Sequence, residues 1–153
     1  MRAAATQLDL GFQGVEAEVA DFPGPYRRPN GRVLLGMVDA GDGTMRVGGT
    51  VMVKPLDDGR PGRACEMKRL FVAPDARRHG LGDVLVRDIV DQARQLGYER
   101  MLLDTCDYMT GARALYTRHG FAERPAYYHN PLGEQHSHLR IVFYERSLAE
   151  DAE

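Results

Sequence analysis

Hydrophobic and polar positions change period several times along the chain. Residues 32–38 are apolar on both alternating faces, and residues 45–54 repeat that pattern after Gly41-Asp42-Gly43. Two such runs around a glycine-rich turn predict a β-hairpin, with strands over Arg32–Asp39 and Met45–Lys54. A polar loop over residues 55–62 leads to another apolar run at 65–73, which stops at Pro74. There the period becomes helical. Leu81, Val84, Leu85, Ile89, Val90, Ala93 and Leu96 predict a helix over 80–96 that Gly97 closes. A strand at 100–105, a helix at 110–119, a strand from Phe121 and an alternating strand over His138–Ser147 follow, with a long loop over Pro125–Ser137. Upstream, residues 15–22 read as a short helix. Antiparallel strands, then a strand-helix-strand unit, then a helix and strand, predict a mixed α/β sheet in one domain over 1–153, with residues 149–153 a frayed acidic tail.

The junction at Arg77-Arg78-His79-Gly80-Leu81-Gly82 carries the first chemistry. A strand ends, a glycine loop follows and a helix begins. The first helical N–H groups have no internal partner and the helix dipole is positive there, so such a junction binds anions. Glycine at 80 and 82 keeps side chains from the amides, and Arg77, Arg78 and His79 add positive charge. A P-loop would need Lys after its last glycine, but Gly82 is followed by Asp83. A dinucleotide fingerprint would need a third glycine where Leu85 stands.

What remains, R-x-x-G-x-G over Arg77–Gly82, resembles the pyrophosphate loop of the GNAT acetyltransferase superfamily. A second stretch, A-x-x-L-Y-x-x-x-G-F over Ala112–Phe121, resembles that family's second landmark at the expected distance. The resemblance runs from about Leu34 to Leu148. Within it, Cys65–Pro131 is similar to a bacterial small-molecule branch with E-M-K-R-L-[YF]-V and P-x-Y-Y-x-N-P segments. The resemblance implies a mostly antiparallel central sheet with a parallel pair in its middle, flanked by helices. It also implies acetyl-CoA as cosubstrate, without a metal, and direct transfer of the acetyl group to an amine in a ternary complex. The expected cofactor residues are Leu70, Phe71 and Val72 along the strand, with Arg77, Arg78, His79, Gly80, Leu81, Gly82 and Asp83 at the loop.

Tyr116 matches the family tyrosine near the sulfur, where a phenol can protonate the departing thiolate. Its other reading is a helix tyrosine packed on the sheet. Glu66 is the candidate base. Strand alternation puts Glu66, Lys68 and Leu70 on one face and Met67, Arg69 and Phe71 on the other. An ion pair of Glu66 with Lys68 or Arg63 is the competing reading. Tyr127, Tyr128, His129 and Asn130 fall where relatives shape the acceptor site; packing beside Pro125 and Pro131 is the alternative. Many relatives have asparagine where this chain has Met109. His136-Ser137-His138 reads as a solvated loop rather than a metal site.

Bulk properties narrow the class. Charged residues make up 27% of the chain and the formal net charge is −2, so no global field favours nucleic acid. No apolar run has membrane-span length and no signal sequence is visible, which predicts a cytoplasmic protein. The two cysteines, Cys65 and Cys106, fall at opposite ends of neighbouring strands and are expected to stay free. Relatives usually carry a strand and a full helix before the equivalent of Val15, and residues 1–6 have no strand pattern. The reading is a shortened N-terminus that leaves 32–39 as an open edge, answered by a homodimer or by residues 1–13 folding back. The functional expectation is an N-acetyltransferase for a small-molecule amine; a non-catalytic acyl-CoA-binding module is the alternative.

Overall fold

A computed structural model describes residues 15–77, 79–129 and 140–149. Its helices are α1 (Val15–Ala20), α2 (Leu81–Gln95) and α3 (Thr110–Arg118). Its strands are β1 (Arg32–Asp39), β2 (Met45–Leu56), β3 (Ala64–Val72), β4 (Arg100–Cys106), β5 (Ala122–Arg124) and β6 (Ile141–Ser147). They form one sheet in the order β1-β2-β3-β4-β6-β5. Every pairing is antiparallel except β3 with β4. The expected sheet, with its parallel pair in the middle, is therefore present. Residues 1–14, Arg78, Asn130, the 136–138 segment and the tail from residue 150 lie outside the described residues, and so does the expected N-terminal shortening.

The core lies between the sheet and α2 with α3. Val51, Val53, Met67, Met101 and Leu103 meet Leu85, Val86, Ile89 and Val90, with Tyr116 and Phe121 beside them. The helical face is rotated slightly from the sequence expectation: Val86 is fully buried and Val84 is 39% exposed. Residues 86, 89, 90 and 93 continue one stripe at 3.6-residue spacing, and 84 falls off it. Gly97, at φ 83°, closes α2 in the left-handed region. Its N–H bonds Arg94 O at 2.9 Å and that of Tyr98 bonds Ala93 O at 3.1 Å, a Schellman closure. Cys65 and Cys106 are both free; burial pushes the Cys65 thiol up to about 12.

Two irregularities position the site. The register of β2 against β3 slips between Thr50 and Met52. Opposite the slip, Arg69 takes φ 57°, and Thr50 Oγ1 donates to its carbonyl at 2.9 Å. This is a bulge with one extra residue in β3. It overturns strict alternation along the strand. Leu70 and Val72 pack on the core, while the Arg69 side chain reaches Glu18 of α1 at 2.8 Å, on the side that carries Glu66 and Lys68. The second irregularity is the shortness of the parallel pairing, which runs only from Ala64–Arg100 to Glu66–Leu102. Beyond Glu66 both strands continue without pairing, so the sheet opens between them.

A cationic clamp holds the paired end closed. Asp58, its side chain 2% exposed, accepts two bonds from Arg100 (2.8 and 2.5 Å) and two from Arg60 (2.9 and 2.6 Å). Arg60 also reaches Glu145 of β6 at 2.8 Å. The Arg100 guanidinium first, then that of Arg60, holds the Asp58 carboxyl far below the usual carboxylate range against the opposing cost of burial. Asp58→Asn is expected to cost about 3–5 kcal/mol, because the largely buried Arg100 guanidinium loses its counter-charge while Arg60 keeps Glu145. A depressed folded pKa stabilises above the unfolded value of about 3.9, and that stabilisation fades as pH falls below it. Urea titrations from pH 7 to 3 should therefore show a shallower acid loss for the variant than for the parent.

Candidate active site

Two clefts lie against β3. The first, of about 600 Å³, is bounded by Leu70, Phe71 and Val72 of β3, by Arg77, Gly80, Leu81, Gly82 and Asp83 at the start of α2, and by residues 108–112, Leu115 and Arg118. Eight of the ten expected cofactor residues thus converge on one cavity. His79 is exposed and does not line it; Arg78 lies outside the described residues. The first helical bond of α2 runs from Val84 N to Gly80 O at 3.1 Å, so the amides of residues 81–83 have no partner within the helix.

The two glycines serve different ends. At Gly80 a Cβ would meet nothing within 4 Å, but its φ is 73°, so it is needed for conformation rather than for space. At Gly82 a Cβ would come within 3.3 Å of Leu115 Cδ2, so a side chain there projects between α2 and α3 into the cleft. Arg77 Nε donates to Val72 O at 3.0 Å and ties the loop to the strand end. The Asp83 carboxylate is held by Arg118 at 3.1 Å and His119 at 2.9 Å. His119 and then Arg118 lower its pKa. Asp83 can therefore contribute its backbone amide to an anion, with its side-chain charge neutralised.

The second cleft, of about 490 Å³, lies on the opposite side of β3. Glu18, Lys54, Glu66, Lys68, Asp104, Tyr127, Tyr128 and His129 line it, with Leu56 and Asp57 at its margin. Glu66 is 5% exposed. The Tyr127 hydroxyl donates to its Oε2 at 2.5 Å, and Lys54 Nζ lies 3.6 Å from Oε1. Its ion-pair partner is thus Lys54, directly opposite it on β2, and neither Lys68 nor Arg63. Lys68 faces Asp104 at 3.9 Å, and Arg63 stacks over Tyr98, 4.6 Å from the ring centroid. The Tyr128 hydroxyl donates to Asp104. Both tyrosines pack edge-on against Phe143, at 5.2 and 5.1 Å. Burial first, then the carboxylate each faces, drives both phenols well above the usual tyrosine range, so both remain donors. Tyr127 and Tyr128 thus line the same cleft as Glu66; Asn130 lies outside the described residues.

Tyr116 sits on the core side of the opening in the sheet. It is 6% exposed and packs against Phe121 and Tyr144, each at 6.0 Å. Burial, then the charge of Asp104, pushes its phenol up to about 12, so it is protonated throughout the neutral range. The packing reading of this residue is observed: its ring lies between Phe121 and Tyr144, with Leu115 beside it in sequence lining the first cleft.

Asp104 was not among the residues singled out from sequence, although a lone charge inside Met101-Leu102-Leu103-Asp104-Thr105-Cys106 is a usable signal. Lys54 gave none, since its role depends on the β2–β3 register.

The profile of the Acetyltransferase (GNAT) family matches residues 8–121. An uncharacterized N-acetyltransferase of Schizosaccharomyces pombe is 41% identical over 125 residues, covering 82% of this chain and 72% of that protein. An IAA acetyltransferase of Azospirillum brasilense is 44% identical over 83 residues, 54% of this chain and 51% of that protein. A GNAT-family acetyltransferase structure from Staphylococcus aureus shares the fold, with a TM-score of 0.68 at 19% identity, over 89% of this chain and 79% of that one. The chain belongs to the GNAT acetyltransferase family, whose chemistry is acyl-CoA-dependent acetyl transfer.

Proposed function

We propose that the protein moves an acetyl group from acetyl-CoA to the amine of a small molecule, directly, with both reactants bound. The observation that carries this reading is the opening between β3 and β4, which has an anion-binding helix start on one side and a polar, carboxylate-bearing cleft on the other. The cleft fits the cosubstrate: amides of residues 81–83 beside Arg77 suit its pyrophosphate, and Leu70–Val72 offer an extended edge for its arm. When bound, acetyl-CoA supplies the activated acetyl thioester. Glu66 takes a proton from the acceptor ammonium. Tyr116 holds a proton at Oη and gives it to the sulfur as the C–N bond forms and the C–S bond breaks. The nitrogen loses its second proton in the same sequence, so turnover releases one proton net. Tyr127 and Tyr128 wall the acceptor. The two free thiols suit a reducing compartment, and we place the enzyme in the cytoplasm.

The test is a panel of primary amines with acetyl-CoA, following thiol release and the acetylated product. Binding of acetyl-CoA without turnover of any amine would leave only an acyl-CoA-binding module. Within this reading, Gly82→Leu should weaken acetyl-CoA binding by about tenfold or more, and Arg77→Ala by less. A side chain at the amide floor blocks the cleft, whereas one exposed charge contributes little. Calorimetry giving the reverse order would remove the backbone cradle.

We also propose a homodimer joined at β1. This strand is at the sheet edge, and its Leu35 and Met37 are 55% and 46% exposed beside Val47 at 48%. Among the described residues no strand pairs with the outer side of β1, and an apolar edge of that kind templates a second strand. Sedimentation should give twice the chain mass; a monomer with fast amide exchange over residues 33–38 would reject the dimer.

A further inference from the structure

We propose that the acceptor is a small zwitterion, an amine that also carries a carboxylate, as in a free amino acid. This rests on the acetyl-transfer reading above and narrows its substrate class. Four ionic side chains face the second cleft with binding capacity left. Lys54 stands 3.6 Å from Glu66 and Lys68 stands 3.9 Å from Asp104. Both separations exceed the ordinary N–H···O range of about 2.7–3.2 Å, so each ammonium keeps donors for a ligand. Each carboxylate takes one phenol, Tyr127 on Glu66 and Tyr128 on Asp104, and keeps lone pairs for another donor. Of the other acids of the cleft, Glu18 accepts from Tyr26 at 3.0 Å and Arg69 at 2.8 Å, and Asp57 is exposed, with its charge solvated.

Among the described lysines and acids with capacity left, the charges are thus two positive and two negative, in alternation across β2, β3 and β4. Their side chains are largely withdrawn from water, at 28% for Lys54, 7% for Glu66, 12% for Lys68 and 11% for Asp104. Charges so placed must be compensated locally. A simple amine would serve the carboxylates and set hydrocarbon against two ammonium groups. A phosphate dianion would add more negative charge than lysines already balanced by Glu66 and Asp104 can match. A carboxylate with an ammonium adds no net charge and gives each of the four groups an opposite partner. Glu66 and Asp104 then hold the nitrogen beside the opening in the sheet, and Lys54 and Lys68 hold the carboxylate.

The experiment compares thiol release from acetyl-CoA with matched acceptors: free amino acids and β-alanine, their amides, the corresponding decarboxylated amines and phosphoethanolamine. Free acids should exceed their amides by about tenfold or more in kcat/KM, the size expected of a charge-assisted contact. Lys54→Gln and Lys68→Gln should shrink the acid-over-amide ratio by about tenfold whatever they do to the amide rate, whereas a structural defect would lower both rates together and keep the ratio. Amides, plain amines or phosphoethanolamine matching or outrunning the acids would overturn the proposal and leave the acetyltransferase reading intact. Should no amine release thiol, calorimetry on the CoA-loaded protein decides. Binding of acids over amides would keep the zwitterion site and remove transfer; binding of neither would remove both.

Discussion

Tyr116→Phe should lower kcat by about 10²–10⁴-fold, the usual worth of a positioned general acid, while the Kd for acetyl-CoA stays nearly unchanged. The ring packs between Phe121 and Tyr144, and phenylalanine keeps that packing, so the fold should tolerate the change. Leu115, and not Tyr116, lines the first cleft, so cosubstrate affinity has little reason to move. The phenol is pushed up to about 12 by burial and by Asp104. The phenol therefore carries its proton throughout the neutral range and has it available as the thiolate departs. Steady-state rates with a good acceptor, alongside calorimetry of acetyl-CoA binding, measure both halves. Wild-type turnover in the variant would assign the proton to solvent or to another donor and return Tyr116 to a packing role.

The sequence made the outline legible because most elements keep one period throughout. The bounds of β1 agree in full, and α2 and β4 agree within a residue, since the hairpin turn at 41–43 and Gly97 mark their ends by backbone conformation. The lining of the first cleft was legible too, because a helix start preceded by Gly80 is a local feature. That of the second was not. Its geometry depends on the bulge at Arg69, where a non-glycine residue takes a positive φ inside a strand. No local pattern announces that conformation, and one extra residue reverses every side chain after it. Leu70 therefore went to the wrong face on paper. Lys54 became the partner of Glu66 only through the β2–β3 register. The pairing of Tyr127 with Glu66 spans 61 residues and depends on how a loop returns across the sheet.

Electrostatics separates the two sides of β3. On the side of the first cleft the Asp83 carboxylate is paired with Arg118 and hydrogen-bonded to His119, which offsets its repulsion of an anion at the start of α2. On the other side Glu66 and Asp104 face phenols that remain protonated. One side of β3 thus offers helix-start amides beside a paired carboxylate, and the other offers carboxylates beside phenols. The proposed direct transfer rests on that division.

Glu66→Gln gives the sharpest test of it. The amide keeps the shape and can still accept from Tyr127, now 2.5 Å from the carboxylate, so the cleft wall should survive. What is lost is the charge that takes the acceptor's proton, and Lys54 at 3.6 Å loses its counter-ion. If Glu66 is only the partner of Lys54, the variant should be less stable in urea and its kcat should remain within a few-fold of the parent. If Glu66 is the base, kcat/KM should fall by about 10²–10⁴-fold at pH 7 with the fold retained. The loss should shrink as pH rises toward the pKa of the acceptor, because solution then delivers the amine already deprotonated. Tyr116→Phe has no such recovery, since high pH supplies no proton to a leaving thiolate. Opposite pH trends in the two variants would separate base from acid; a Glu66→Gln defect that stays constant from pH 7 to pH 10 would exclude proton transfer to Glu66.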